Sequence, residues 1–147
     1  MAANSSDRPV LEELDRAECL RLITGGVIGR VAFDDGEGPT VIPVNYAVDG
    51  DAVIFRTSTS GRMNRSLLTS VVGGEVRAAF QVDRIDETDH VGWSVLLRGG
   101  AHHLSEEERG RVAPVRPWPG GDRGEWFRLA AREVSGRRLS RASRAVG

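Results

Sequence analysis

Lysine is absent: all twenty basic side chains of this 147-residue chain are arginine. A Schiff base through a lysine amine is therefore excluded, and with it every pyridoxal-phosphate enzyme that depends on one. Cysteine occurs once, at Cys19. That rules out an internal disulfide and any zinc site built from several cysteines, and a lone cysteine of this kind reads as a small buried apolar residue. Long apolar runs are missing as well. Val41 to Val44 and Val53 to Phe55 fall far short of the ~20 residues of a membrane span, and residues 1–9 carry no apolar signal core. The chain reads as cytoplasmic. Neither sign of charge dominates: 20 basic against 21 acidic side chains leave a net charge of -1, which favours neither nucleic acid nor an anionic membrane. The expected partner is a small molecule or another protein. For such a partner the arginines offer a permanent charge and a planar fork that matches phosphate.

The length suits one core. Residues 1–10 are polar and aperiodic and read as a disordered tail, residues 11–139 as the folded domain, and residues 140–147 as a basic tail. The C-terminal stretch from Arg132 holds five arginines and a single acid, Glu133; it reads as a solvated end.

Asp15 and Glu18 stand three apart in the manner of a capping box. Cys19, Leu20, Leu22 and Ile23 then form an apolar stripe that Gly25-Gly26 ends, which predicts a short helix. From Val27 the pattern becomes one of strands. Strands are expected over Val27 to Phe33, Thr40 to Val48 and Ala52 to Thr57, the last two joined at Asp49-Gly50, a strong hairpin signal. Met63, Leu67 and Leu68 suit a second short helix. Val76, Ala78, Phe80 and Val82 alternate with Arg77, Ala79, Gln81 and Asp83, a half-buried strand. Gly92 to Leu104 is a longer strand with a bulge or corner expected at Gly99-Gly100. Ser105 opens a third helix with acids in its first turn, Pro114 to Gly121 is a loop, and Glu125 to Ala130 is a final strand. The fold class is thus mainly β with short helices: a split β-barrel of about six antiparallel strands.

Chemistry is most legible in Phe55-Arg56-Thr57-Ser58-Thr59-Ser60-Gly61-Arg62. The stretch leaves a strand, passes four hydroxyl residues and a glycine, and enters a helix whose first N–H groups lack partners. Such a crossing can seat a phosphate, with Arg56 and Arg62 as bidentate donors. It can equally be an ordinary N-cap at Ser60 flanked by solvated arginines, and the residues alone leave both readings open. Trp93, Trp118 and Trp126 can stack on a planar ring or serve as core and interface. His102 and His103, adjacent on a strand, point to opposite faces and do not share a metal; no metal site is expected. Gly36-Glu37-Gly38 is a turn, since no helix follows it, and no nucleophile elbow supports a serine hydrolase.

The order of these elements, with Cys19-Leu20-Arg21-Leu22, Gly29-Arg30-Val31-Ala32-Phe33, Pro43-Val44-Asn45-Tyr46, Phe55-Arg56-Thr57, Gly61-Arg62, Phe80-Gln81-Val82-Asp83, Gly92-Trp93-Ser94-Val95, Trp118 and Trp126, resembles the pyridoxamine 5'-phosphate oxidase-like family of split-barrel flavin-binding proteins. The likeness runs from about Leu14 to Leu139. It implies FMN, or in related branches a deazaflavin or haem, bound at the interface of a homodimer, and an FMN-dependent oxidoreductase of unspecified substrate. A non-catalytic binding or sensing module on the same barrel is the alternative. By the resemblance, Arg56, Thr57, Ser58, Gly61 and Arg62 hold the cofactor phosphate, Pro43, Val44, Asn45 and Tyr46 line the ring system, and Trp93 and Ser94 approach from the partner subunit. Arg62 stands where the family usually has lysine. The family's Arg-Leu-x-Pro ending is Arg138-Leu139-Ser140-Arg141 here, without the proline, so the resemblance does not extend to pyridoxamine phosphate oxidation itself.

Overall fold

The computed structural model describes residues 8–57, 74–111 and 125–141. Along the chain these form β1 (Pro9–Leu14), α1 (Arg16–Ile23), β2 (Ile28–Asp34), β3 (Pro39–Asp49), β4 (Ala52–Thr57), β5 (Glu75–Asp86), β6 (Val91–His103), α2 (Glu106–Arg109) and β7 (Glu125–Arg141). The helix expected around Met63 to Leu68 falls outside the described residues.

All strand pairings are antiparallel, in the order β1-β7-β4-β3-β2-β5-β6, and β6 also pairs with β7. The sheet therefore curls until the last strand in that order, β6, meets the second, β7, as expected of a split barrel. The long β7 makes this possible. One of its edges carries β6 almost throughout, while the other pairs with β4 over Glu125 to Ala130 and with β1 over Gly136 to Arg141. Between those two partners the barrel is split, and α1 sits at the opening. Arg16 at its start donates to the Ala131 carbonyl at 3.3 Å and pairs with Asp51 at 3.5 Å. At its end the Ile23 carbonyl accepts the Tyr46 hydroxyl at 2.6 Å.

The helix forms where the sequence predicts it. Asp15 is the N-cap and accepts from the Glu18 amide at 2.9 Å, and Gly25 at φ +85 lets the chain turn away. The capping box is only half made there. The Glu18 carboxylate is engaged instead by Arg21 at 2.5 Å and Arg138 at 2.6 Å, tying α1 to β7. A full capping box does form at Ser105 and Glu108. Cys19 is fully buried, as expected, and lies against Gly136, where an added Cβ would come within 2.6 Å of its sulfur. Burial pushes its thiol pKa up.

The Glu18 clamp carries a pH signature. Hydrogen bonds from Arg21 and Arg138 lower its carboxyl from the ordinary 4.5 to about 2. A carboxyl depressed in the folded state stabilises fully above its unfolded value, and the contribution fades as pH falls from about 4.5 toward 2. The difference in urea midpoint between wild type and Glu18→Gln is expected to shrink between pH 6 and pH 3 (about one unit above the folded value). A constant difference would contradict the clamp.

Inside the barrel, alternate residues converge on one core. Phe55 stacks on Phe127 and Phe80 at centroid separations of 5.5 and 6.1 Å, and Tyr46 meets Phe80 edge-on at 5.1 Å. A second, smaller cluster lies outside β4, where Ile54 and Leu104 pack with Ala47 and Trp126.

Two boundaries differ from the sequence reading. The two ends assigned to tails pair with each other, Pro9 with Arg141 and Val10 with Ser140, because a backbone ladder needs no apolar pattern. The last strand runs on to Arg141 rather than stopping at Ala130. The irregularity expected at Gly99-Gly100 is present, as a register shift between Arg98 and Gly99, and its extra residue is on the facing strand. Arg98 pairs with Glu133 and Gly99 with Ala131, which leaves Arg132 of β7 as the extra residue. Gly99 makes room for it, since a Cβ there would lie 2.0 Å from the Ala130 carbonyl oxygen.

Candidate functional site

β3 shows two faces. Val44 and Tyr46 point into the core, and Pro43 and Asn45 point outward, as a period of two demands. Of the residues expected to line a ring, Tyr46 serves inside the barrel. Its hydroxyl is bonded to Ile23, and burial raises its pKa to about 12 against the opposing charge of Arg84. It is a strut, kept neutral. Asn45 is buried and its Nδ2 donates to the Val27 carbonyl at 3.2 Å. The outward residues Val41, Pro43, Asn45 and Ala47 include no ionisable group.

Arg56 follows Phe55 on β4 and so faces outward, at the end of the strand. It is the cross-strand partner of Trp126 on β7, and its guanidinium carbon lies 5.0 Å from the centre of the indole ring. Thr57 pairs with Glu125. Ser58, Gly61 and Arg62 lie outside the described residues, as does Trp118.

Trp93 and Ser94 part company. Trp93 packs against the core beside Arg84 and Arg138, while Ser94 faces outward and accepts from Gln81 Nε2 at 3.2 Å. Adjacent strand residues cannot share a face. Of the two, Ser94 lies on the outer surface that also carries Pro43 and Asn45, three strands away in the order β3-β2-β5-β6. Arg30 of β2 stands between them, paired with Pro43 on one side and Gln81 on the other. Two open concavities also lie on the described surface: one of about 450 Å³ at the β7 bulge, edged by Arg77, Arg98 and Arg132, and one of about 540 Å³ beside Ser94 and Arg137.

Residues 15–138 match the pyridoxamine 5'-phosphate oxidase family, which covers nearly all of the barrel. The chain belongs to that family. An uncharacterized protein of Mycobacterium tuberculosis is 35% identical over 108 residues, 74% of this chain and 70% of that protein. A solved structure from Corynebacterium diphtheriae, of unknown function, is 30% identical with a TM-score of 0.66, covering 88% of this chain and 98% of that one. The FAD binding protein from Mycobacterium smegmatis is 24% identical with a TM-score of 0.63, covering 89% of this chain and all (100%) of that one. Pyridoxamine phosphate oxidase-like barrels of this kind thus include flavin-binding proteins.

In this family member, Arg138 is committed to the scaffold: it bonds Glu12 at 3.2 Å and Glu18 at 2.6 Å. Its guanidinium anchors β1 and α1, in keeping with the missing Arg-Leu-x-Pro ending. The two histidines do take opposite faces. His103 pairs with Glu125 and meets the Phe127 ring edge-on at 5.6 Å, and Glu125 is also within 3.5 Å of Arg109. His102 lies on the outer side, in a small cleft with Arg128 and Glu108. No cluster of three metal-ligating side chains occurs among the described residues, nor is any of their helices long and apolar enough to cross a membrane.

Proposed function

We propose that this protein binds a phosphorylated flavin, FMN in the first instance, on the outer face of β3 and β4, and works as a homodimeric oxidoreductase in the cytoplasm. One observation carries the reading. Arg56 sits on the outer face near the end of β4, directly before the hydroxyl run that begins at Thr57, and beside Pro43, Asn45 and Ala47 of β3, none of them ionisable. The donor set suits the group: a guanidinium and hydroxyls for the phosphate, and a neutral strand surface for a flat ring. Arg56 and Thr57, continued by Ser58, Gly61 and Arg62, would hold the phosphate, and Pro43 and Asn45 would face the ring. When bound, a flavin supplies the electron or hydride transfer, and the protein supplies binding and orientation.

Similarity to a flavin-binding protein supports a flavin; FMN and FAD carry the same chromophore and are told apart by mass, whereas a deazaflavin differs in the ring itself. Purified protein is expected to be yellow and to release a fluorescent flavin on heating, whose mass names the cofactor. A colourless protein that takes up no added flavin would overturn the reading, and a Soret band would replace it with haem.

The homodimer is supported by an apolar row across the outer surface: Val41, Ala32 and Ala79 are successive cross-strand partners on β3, β2 and β5, and Val41 is 60% exposed. A charge placed there would be desolvated without a partner. Val41→Glu is expected to weaken the dimer by about tenfold or more, from the ~1.4 kcal/mol that a tenfold change represents, as measured by sedimentation equilibrium. An unchanged dimer would move the interface elsewhere.

A further inference from the structure

Trp126 is, with Trp118, one of the two tryptophans that the sequence leaves without an assigned task, and the fold places it under the side chain proposed to meet the ligand. The contact is imposed by register. Arg56 and Trp126 are paired across β4 and β7, with the guanidinium carbon 5.0 Å from the indole centre. The indole is itself fixed. The Trp126 carbonyl accepts the Leu104 amide at 2.8 Å, and its side chain packs on the outer cluster of Ile54 and Leu104. Arginine binds anions through N–H groups that lie in the guanidinium plane, and it meets an aromatic ring through that plane's face. The two contacts are compatible. A long side chain held by a ring also loses rotamer freedom before the anion arrives, so less is lost on binding.

We propose that Trp126 is a positioning residue for anion binding: it holds the Arg56 guanidinium by its face so that the edge is presented to the phosphate of the bound cofactor. The indole acts through Arg56 and makes no contact of its own with the cofactor. This rests on the reading that Arg56 meets the cofactor phosphate, and the test separates the two.

FMN binding to the full-length protein is measured by equilibrium ultrafiltration for wild type, Trp126→Phe, Trp126→Leu, Arg56→Ala and the Arg56→Ala/Trp126→Leu double variant. Leucine keeps the apolar packing and removes the ring face. Trp126→Leu is expected to weaken FMN about 3- to 30-fold, the range of a partly to well desolvated cation–π contact, while Trp126→Phe recovers most of the loss. In the Arg56→Ala background Trp126→Leu should change nothing further. Equal losses in both backgrounds, or no loss in either, would overturn the proposal. Should Trp126→Leu not fold, Arg56→Lys reads the same coupling from the other side. Lysine keeps the charge without the planar face, so weakening over the same range is expected, and wild-type affinity would count against the proposal. Tryptophan emission provides the independent arm. Titration with inorganic phosphate should change the emission of wild type but not that of Trp126→Phe or Arg56→Ala. If wild type takes up no FMN, the flavin reading fails by itself. A phosphate response that needs both residues would still uphold the pairing, and its absence would end it.

Discussion

Alanine at both Arg56 and Arg62 is expected to strip the protein of its flavin while leaving the barrel folded. A charge-assisted hydrogen bond contributes roughly 1.5–3 kcal/mol, so losing one from each arginine weakens binding by about 100- to 10,000-fold at 1.4 kcal/mol per tenfold. Arg56 faces out of the barrel and packs on Trp126 rather than in the main core, so stability should change little beyond the lost stacking. Equilibrium ultrafiltration of FMN, with thermal unfolding as the control, reads both quantities. Retained flavin at wild-type affinity would remove the phosphate site from this crossing. Arg56→Ala alone should account for a substantial part of the effect, because its position on the outer face is fixed by the β4–β7 register.

The largest stability effect is expected one residue earlier. Phe55 is fully buried and stacks on both Phe80 and Phe127, so it joins β4 to β5 and to β7 through the middle of the barrel. Phe55→Ala removes a ring from a site that cannot collapse without moving three strands, and such truncations cost about 3–5 kcal/mol. That is a large share of the roughly 5–15 kcal/mol by which a domain of this size is stable. Urea unfolding should show the midpoint falling with little change in slope. A cost below about 1 kcal/mol would mean that the aromatic stack is not the centre of the core. Because Phe55 and Arg56 are neighbours on opposite faces of one strand, the two variants separate folding from binding: the first should lower stability, the second affinity.

What could be read from the sequence follows the physics of each element. α1 was legible because its cap, stripe and glycine stop all agree, and β4 because a short β-branched and aromatic run follows the Asp49-Gly50 turn. β1 was not. Pro9 to Val10 carry no polar–apolar alternation and are exposed, so their pairing with β7 shows only in the backbone. The second half of β7 was hidden for the same reason. Beyond Ala131 its side chains are mostly polar and partly exposed, and Arg138 looks like part of a solvated tail until Glu12 and Glu18 are seen to meet it. At the site, the outward aim of Arg56 follows from the burial of Phe55, and the inward aim of Tyr46 from the same period of two. The partnership of Arg56 with Trp126 could not be read, because the two are brought together only by the register of β4 on β7, across a long stretch of intervening chain. Trp93 and Ser94, which the resemblance places together at the cofactor, are divided by strand geometry alone.

In the proposed function, two barrels share a phosphorylated flavin held at the end of β4. Native mass spectrometry of the purified protein tests it in one spectrum. An ion of two chains carrying flavin is expected, with the flavin lost in Arg56→Ala/Arg62→Ala. A single chain, free of any adduct and unaltered by added FMN or FAD, would contradict it.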